Sequence, residues 1–321
     1  MLIACIEIVG GLALLVYGAD QFVNGASLTA RRLGVPPLII GLTIVGVSTS
    51  LPEVLVGAIA ALDGKTQIAI GNALGSNIAN IGLVLGGTAL VKPITVVSRT
   101  LRREFLLMVI AMFIALALML NDYLGRLDGT LLLLSLAGII GWIVHLAKAS
   151  PRSDPLAREY AREYRERGRT GAALLLIVFG LALLLAGAHV LVDGAVTVAR
   201  AFGISDLVIG LTVIAVGTSL PELATSVMSV HKQEPDIAIG NVIGSNMFNM
   251  LMVLGVPALI HPDTFGTEVV MRDFAVMFAL TALMGLVVFV HDHGRFRRWE
   301  GALLLACFIG YQAWLFLAAT S

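Results

Sequence analysis

Apolar runs of about 20 residues, the length that crosses a bilayer core as a helix, recur along the whole chain, separated by glycine, proline and short charged stretches. They predict ten spans, at residues 2–24, 36–62, 67–91, 103–121, 129–148, 171–199, 206–230, 236–260, 273–290 and 299–318. The expected fold is an all-α membrane protein of ten transmembrane helices, with no connection long enough to fold as a soluble domain. The first run has no basic segment ahead of it and no A-x-A-like site after it, so it reads as a spanning helix rather than a cleaved leader. One connection differs from the rest: PRSDPLAREYAREYRERGRT, after the fifth span, alternates charge sign as a solvated helix does. It divides the chain into a five-span unit at 1–149, a linker at 150–170 and a second five-span unit at 171–321.

Composition agrees that lipid is the solvent. Hydrophobic residues make up 58% and charged ones 13%, with a mean hydropathy of +0.94, against about 25% charged in soluble domains. The 21 Lys and Arg balance 21 Asp and Glu, which leaves no net field to attract nucleic acid. Composition implies the bilayer itself as a partner. Basic residues in short loops stay cytoplasmic; with the charged linker inside, 17 of the 21 fall on that side and only Lys65, Arg126, Arg200 and Arg272 fall outside. Both termini are then expected outside. Cys5 and Cys307 lie in apolar runs at opposite ends, which predicts neither a disulfide framework nor a metal cluster.

The two units repeat one another. GLTIVGVSTSLPE from Gly41 and GLTVIAVGTSLPE from Gly210 are identical at 9 of 13 positions, at an offset of 210 − 41 = 169. At the same offset, GNALGSNIANIGLVLG from Gly71 and GNVIGSNMFNMLMVLG from Gly240 are identical at 9 of 16 positions. The register also pairs Gly25 with Gly194, Gly34 with Gly203, Pro93 with Pro262 and Arg103 with Arg272. Because five is odd, the second unit enters the membrane from the opposite face, giving two inverted five-helix repeats. Secondary transporters are built this way, with sites near the midplane on interrupted helices.

Glu53 and Glu222 occupy matching positions, each inside a span directly after Leu-Pro. An ionisable residue at that depth costs about 2.5 to 3.5 kcal/mol on insertion scales, so it usually faces a cavity and serves a function. Around each Glu the sequence offers oxygen. Thr49, Ser50 and Glu53 fall at i−4, i−3 and i on one helix face, and Thr218, Ser219 and Glu222 repeat the pattern. Pro52 and Pro221 remove backbone donors, which is expected to free carbonyls near Ser48 and Gly217. On the next span Asn72, Ser76, Asn77 and Asn80, with their counterparts Asn241, Ser245, Asn246 and Asn249, add hydroxyls and amides, and Gly71, Gly75, Gly240 and Gly244 are expected to allow close helix contact. Two carboxylates within an all-oxygen set suit one hard divalent ion such as Ca²⁺. Zn²⁺ would ask for His or Cys, and the six histidines lie away from both blocks; the His291–Asp292–His293 turn is the one other metal candidate. With no base near Ser50 or Ser219, a hydrolase is not expected, and no cofactor is called for. The same oxygens can hold Na⁺. Ca²⁺ or Na⁺ neutralises the site but not both together, and two bare buried carboxylates are penalised by desolvation and repulsion, so the fluxes are coupled.

The paired GTSLPE-like and GSN-x-x-N blocks resemble the alpha repeats of the sodium/calcium exchanger family, and the whole chain is similar to its compact bacterial inner-membrane members. The resemblance implies Na⁺-driven Ca²⁺ antiport. It places ion ligands at Thr49, Ser50, Glu53, Ser76 and Asn80, at Thr218, Ser219, Glu222 and Ser245, and at the backbone carbonyls of Gly46 and Ala215. It also implies that the first and sixth spans slide against the remaining core. Two positions depart from the family pattern: Ser48 replaces a glycine, and Asn249 stands where an acidic residue is usual, leaving two carboxylates rather than three. Asp20 and Asp193, near the ends of the sliding spans, read as interfacial or gating residues. A proton-coupled cation antiporter on the same fold, with protons carried by the two Glu, is the alternative; a passive channel would show flux without a counter-ion.

Overall fold

The computed structural model describes residues 1–33, 35–96, 101–149, 170–203, 215–267, 269–291 and 295–320. In the first half, α1 (Leu2–Leu33) is followed by α2 (Pro37–Ile40), a π-helical stretch at Gly41–Val45, α3 (Gly46–Thr49) and α4 (Leu51–Leu62). Then come α5 (Thr66–Ala79), a π-helical stretch at Asn80–Leu85, α6 (Gly86–Val91), β1 (Ile94–Thr95), α7 (Leu101–Met119), β2 (Tyr123–Leu124) and α8 (Arg126–Ala149). The second half runs α9 (Thr170–Ala201), α10 (Ala215–Thr218), α11 (Leu220–His231), α12 (Pro235–Phe248), a π-helical stretch at Asn249–Val253, α13 (Gly255–Ile260) and β3 (Asp263–Thr264). It ends with α14 (Ala275–Leu286) between π-helical stretches at Val269–Phe274 and Val287–His291, then β4 (Arg295–Phe296) and α15 (Arg298–Thr320).

Eight helices among the described residues are long and apolar enough to cross a membrane: Leu2–Leu33, Pro37–Leu62, Thr66–Val91, Arg126–His145, Gly171–Ala201, Pro235–Ile260, Met271–Val290 and Arg298–Leu317. They coincide with eight of the ten expected spans. At the expected fourth span α7 has 19 residues, but it opens on Arg102, Arg103 and Glu104. Of the seventh, residues 206–214 lie outside the described set, as do most of the 150–170 linker and the Asp292–His293 part of the histidine turn. α1 runs nine residues beyond the expected 24, because the small residues Gly25, Ala26, Thr29 and Ala30 are buried against neighbours rather than forming a loop.

The second span is two helices, not one kinked helix. Ser50 and Ser219 leave helical geometry alike, at φ −85°, ψ 2° and φ −88°, ψ 2°. Pro52 and Pro221 then lie in the first turn of α4 and α11, where a missing N–H costs nothing. At the break the Ser50 N–H donates to the Gly46 carbonyl at 3.2 Å, and Pro52 has no N–H to offer the Ser48 carbonyl four residues before it.

α1 and α9 pack antiparallel along their length. A Cβ on Gly11 would sit 2.6 Å from the Leu191 nitrogen, one on Gly18 2.7 Å from the Leu184 nitrogen and one on Gly25 2.8 Å from the Ala173 carbonyl. The offset of 169 carries these glycines onto Gly180, Gly187 and Gly194, which meet the α1 backbone equally closely. Small residues at this spacing let two backbones approach where side-chain ridges would hold them apart. Elsewhere too the halves interlock. β1 pairs with β4 and β2 with β3, each antiparallel. Asn77 donates to the carbonyl of its own counterpart Asn246 at 3.2 Å, and Thr281 to the sulfur of its counterpart Met112 at 3.7 Å.

Candidate functional site

The breaks at Ser50 and Ser219 place Glu53 and Glu222 in the first turns of α4 and α11, where the positive end of a half-helix favours a carboxylate. Each is 1% exposed, and the two carboxyls lie within electrostatic reach of one another, with Thr49 beside Glu222. Among the described residues neither makes an ion pair. Asn72 Nδ2 donates to the Glu53 carbonyl at 3.3 Å, and Asn241 Nδ2 to the Glu222 carbonyl at the same distance. These asparagines, expected as oxygen ligands, use their amide N–H to hold the broken turns in place.

α12 fits against the segment carrying Thr49, so that ligand types from both halves share one space. The Thr49 hydroxyl lies 3.0 Å from Asn241 Oδ1 and 3.3 Å from the Ser245 hydroxyl. Ser245 Oγ also reaches the Gly46 carbonyl at 3.4 Å. On the other side Ser76 Oγ donates to Glu53 Oε1 at 3.5 Å. The approach rests on Gly244, where a Cβ would lie 2.2 Å from the Leu42 carbonyl oxygen, and on Gly46, where one would lie 3.0 Å from Gly244.

Asn80 and Asn249 each begin a π-helical stretch, at Asn80–Leu85 and Asn249–Val253. Such widened turns recur at functional sites. The Asn80 stretch packs on α11, which carries Glu222, and the Asn249 stretch on α4, which carries Glu53. Among the described residues both asparagine side chains are buried with no hydrogen-bond partner, and the same holds for Ser50 Oγ, Ser219 Oγ, Glu53 Oε2 and both carboxyl oxygens of Glu222. A buried polar atom left unmatched costs about 1 to 3 kcal/mol, and folded proteins keep few of them. Here they fall at repeat-matched positions around two carboxylates, where they are free to ligate a cation. Thr218 is half-buried and lines a cavity of about 350 Å³ together with Pro52, Leu55, Leu185, His189 and Val192. Ala215 opens α10.

Asn77 and Asn246 commit their amide N–H groups to the Met277 and Met108 sulfurs at 3.4 Å and 3.7 Å as part of the contact between halves, while among the described residues each Oδ1 is buried with no hydrogen-bond partner. Gly240 and Gly244 meet backbone closely, as expected; the segment that the repeat register sets opposite Gly71 and Gly75 lies outside the described residues. Three residues went unnoticed. Thr225, Ser226 and Ser229 are buried on the Glu222 face of α11, and Ser226 accepts from Asn241 at 3.1 Å. Their spacing of three, four and seven from Glu222 was the available signal, masked because the first half reads Val56, Gly57 and Ala60 there. Among the described residues no three His, Cys, Asp or Glu side chains gather elsewhere as a metal site.

The same chain resembles known proteins along its whole length. The family described as sodium/calcium exchanger protein matches residues 4–145 and 172–317. The putative antiporter CaxA of Alkalimonas amylolytica is 48% identical, over 98% of this chain and 99% of that protein. The inner membrane protein YrbG of Escherichia coli is 42% identical over 98% of each. Among solved structures, the sodium-calcium exchanger NCX_Mj soaked with zero Na⁺ and Ca²⁺ superposes with a TM-score of 0.83 at 34% identity, covering 98% of this chain and 99% of that one.

Proposed function

The chain belongs to the sodium/calcium exchanger family, and from that premise we propose that it exchanges Ca²⁺ for Na⁺ across the membrane by alternating access. It is an integral membrane transporter, not an enzyme, and its family places it among cation/Ca²⁺ antiporters. The observation that carries the reading is the repeat-matched set of unpartnered buried oxygens around Glu53 and Glu222. In this reading Glu53, Glu222, Thr49, Thr218, Ser50, Ser219, Asn80, Asn249, Ser76 and Ser245, with the carbonyls of Gly46 and Ala215, coordinate the transported ions. Two carboxylates match the charge of one Ca²⁺. With Asn249 in place of an acid, no third carboxylate competes for Na⁺.

The architecture that serves this is ten helices in two inverted repeats, residues 1–149 and 171–321 joined by a cytoplasmic linker at 150–170, with both termini outside. Antiparallel α1 and α9, and the contacts of Asn77 and Met112 with their own counterparts, support an axis between the halves. Orientation rests on the 17 to 4 division of basic residues, and the match to YrbG, an inner membrane protein, supports a bacterial inner membrane.

The ion pairs support alternating access. Lys232 bonds Asp20 at 2.6 Å and Asn24 at 2.8 Å, and Glu234 accepts from Ser27 and from Arg31 at 2.9 Å, so the loop after α11 is tied to α1. The offset of 169 carries Asp20 to His189 and Lys232 to Asp63, a charge-reversed pair. In this structure His189 bonds Asp193 at 3.3 Å instead, and Asp63 is exposed with no ion pair among the described residues. One face is tied, then, while the repeat-related pair on the other is not, and His189 lines the cavity beside Thr218. The opposite state is expected to tie Asp63 to His189 and release Asp20 from Lys232. Cysteines at 63 and 189 should cross-link in that state only, and cysteines at 20 and 232 in this one; equal cross-linking of both pairs under all ionic conditions would rule out the exchange.

The decisive assay is ⁴⁵Ca²⁺ uptake into Na⁺-loaded vesicles diluted into Na⁺-free buffer, beside a proton-gradient arm. Uptake that requires internal Na⁺ is expected. Uptake driven by the proton gradient alone would reassign the coupling ion, and uptake needing neither gradient would exclude a carrier.

A further inference from the structure

A second cavity, about 650 Å³, lies outside the ion site, in a groove where α1 and α9 face α11. Its walls are apolar: Leu12 and Val16 from α1, Leu191 from α9, Leu223 and Val227 from α11. At one end the lining changes to Lys92, His231 and Arg298, all three exposed and each at the membrane-surface end of its helix. Lys92 Nζ is held over the mouth by a 3.1 Å bond to the Val230 carbonyl. Among the described residues neither Lys92 nor Arg298 has a carboxylate partner, whereas Arg31 and Lys232 on the same face are paired. Trp299, beside Arg298, is 54% exposed, a residue type that settles at the headgroup level. From Leu220 to His231 the groove follows α11 for about 16 Å at 1.5 Å per residue. That is close to half of the roughly 30 Å hydrocarbon core, or the depth of one leaflet.

We infer that this groove binds an anionic phospholipid of the adjoining leaflet, its acyl chain along α11 and its phosphate on Lys92, His231 and Arg298. An apolar trough one leaflet deep with an uncompensated basic mouth is complementary to that molecule and to no soluble anion, which would leave the trough uncovered. Because α1 and α9 form one wall and α11 the other, the lipid bridges the two bodies that the exchange reading moves past each other. The inference does not depend on which ions are exchanged.

The test is native mass spectrometry of the full chain in detergent, titrated with phosphatidylglycerol or with phosphatidylcholine of the same acyl chains. The wild type should retain phosphatidylglycerol preferentially. The Lys92→Gln, Arg298→Gln double variant should lose that preference on the order of 30-fold, from roughly fivefold per cation at an anionic surface. Arg295→Gln, an exposed cation outside the groove, should leave it intact. Val227→Trp should fill the trough and displace both lipids; if that variant does not fold, the rim variants, which alter only exposed side chains, decide alone. Equal binding of the two lipids by the wild type, or an equal loss in Arg295→Gln, would overturn the site and show only a diffuse basic surface.

Discussion

Glu53→Gln and Glu222→Gln should each reduce Na⁺-dependent ⁴⁵Ca²⁺ uptake by at least about 100-fold while leaving a folded, monodisperse protein. Two unit charges 4 Å apart interact by about 4 kcal/mol at the effective dielectric of partly polar protein, and more when one partner is divalent. Losing even about 3 kcal/mol of that attraction gives the factor of 100. Folding should survive because neither carboxylate is committed to an ion pair. Both carboxyl oxygens of Glu222 and Oε2 of Glu53 have no protein hydrogen-bond partner, so an amide of the same shape breaks no internal contact except by weakening Ser76 to Glu53 Oε1. The two variants should not be identical: in Glu53→Gln the new amide oxygen can still accept from Ser76, and a residual low-affinity uptake is expected there first. Uptake within threefold of wild type in either variant would remove that carboxylate from the ion path.

Gly244→Ala is expected to be nearly as damaging, without touching a ligand. Its Cβ would fall 2.2 Å from the Leu42 carbonyl oxygen and 2.8 Å from the carbonyl carbon, and both are backbone atoms that cannot rotate aside. α12 and the Gly41–Val45 stretch must separate by about 1 Å, at an overpacking cost of about 1 to 3 kcal/mol. The separation would pull Ser245 from the Gly46 carbonyl and from Thr49, contacts of 3.4 Å and 3.3 Å that already have little slack. A misplacement of that size costs on the order of 100-fold in positioned chemistry. Gly87→Ala is the control, since its Cβ would meet only the flexible end of Leu223 at 3.5 Å. Transport and thermal stability should both fall in the first and neither in the second; a Gly244→Ala protein with wild-type uptake would mean that the helices do not need this approach.

Much of this molecule is legible in one dimension because lipid imposes simple rules. An apolar run of about 20 residues reads as a spanning helix, since in lipid only a helix satisfies its backbone hydrogen bonds within one segment. A 169-residue offset with 9 of 13 identities exposes the duplication without any structure. Carboxylates at Glu53 and Glu222, inside such runs, declare themselves by their cost. Ser50, Ser219, Asn80 and Asn249 are legible from spacing as candidates among other polar neighbours.

What spacing cannot supply is direction. Asn72 and Asn80 lie eight residues apart on one span, and both looked like ligands; in space the first turns its amide onto the Glu53 carbonyl while the second is left without a partner. Asn77, between them, serves the contact between halves because Asn246 and Met277 arrive there from 169 and 200 residues away. The polar face of Thr225, Ser226 and Ser229 was hidden because the other half does not share it.

Hydropathy, repetition and charge are local properties of the chain, so the helical membrane fold, the duplication and the two carboxylates can be read without coordinates. Packing settles which polar groups hold the backbone and which are left without a partner. Each such group has more than one oxygen or nitrogen to offer, and the choice is made by the neighbour that packing brings within hydrogen-bond reach, about 3 Å.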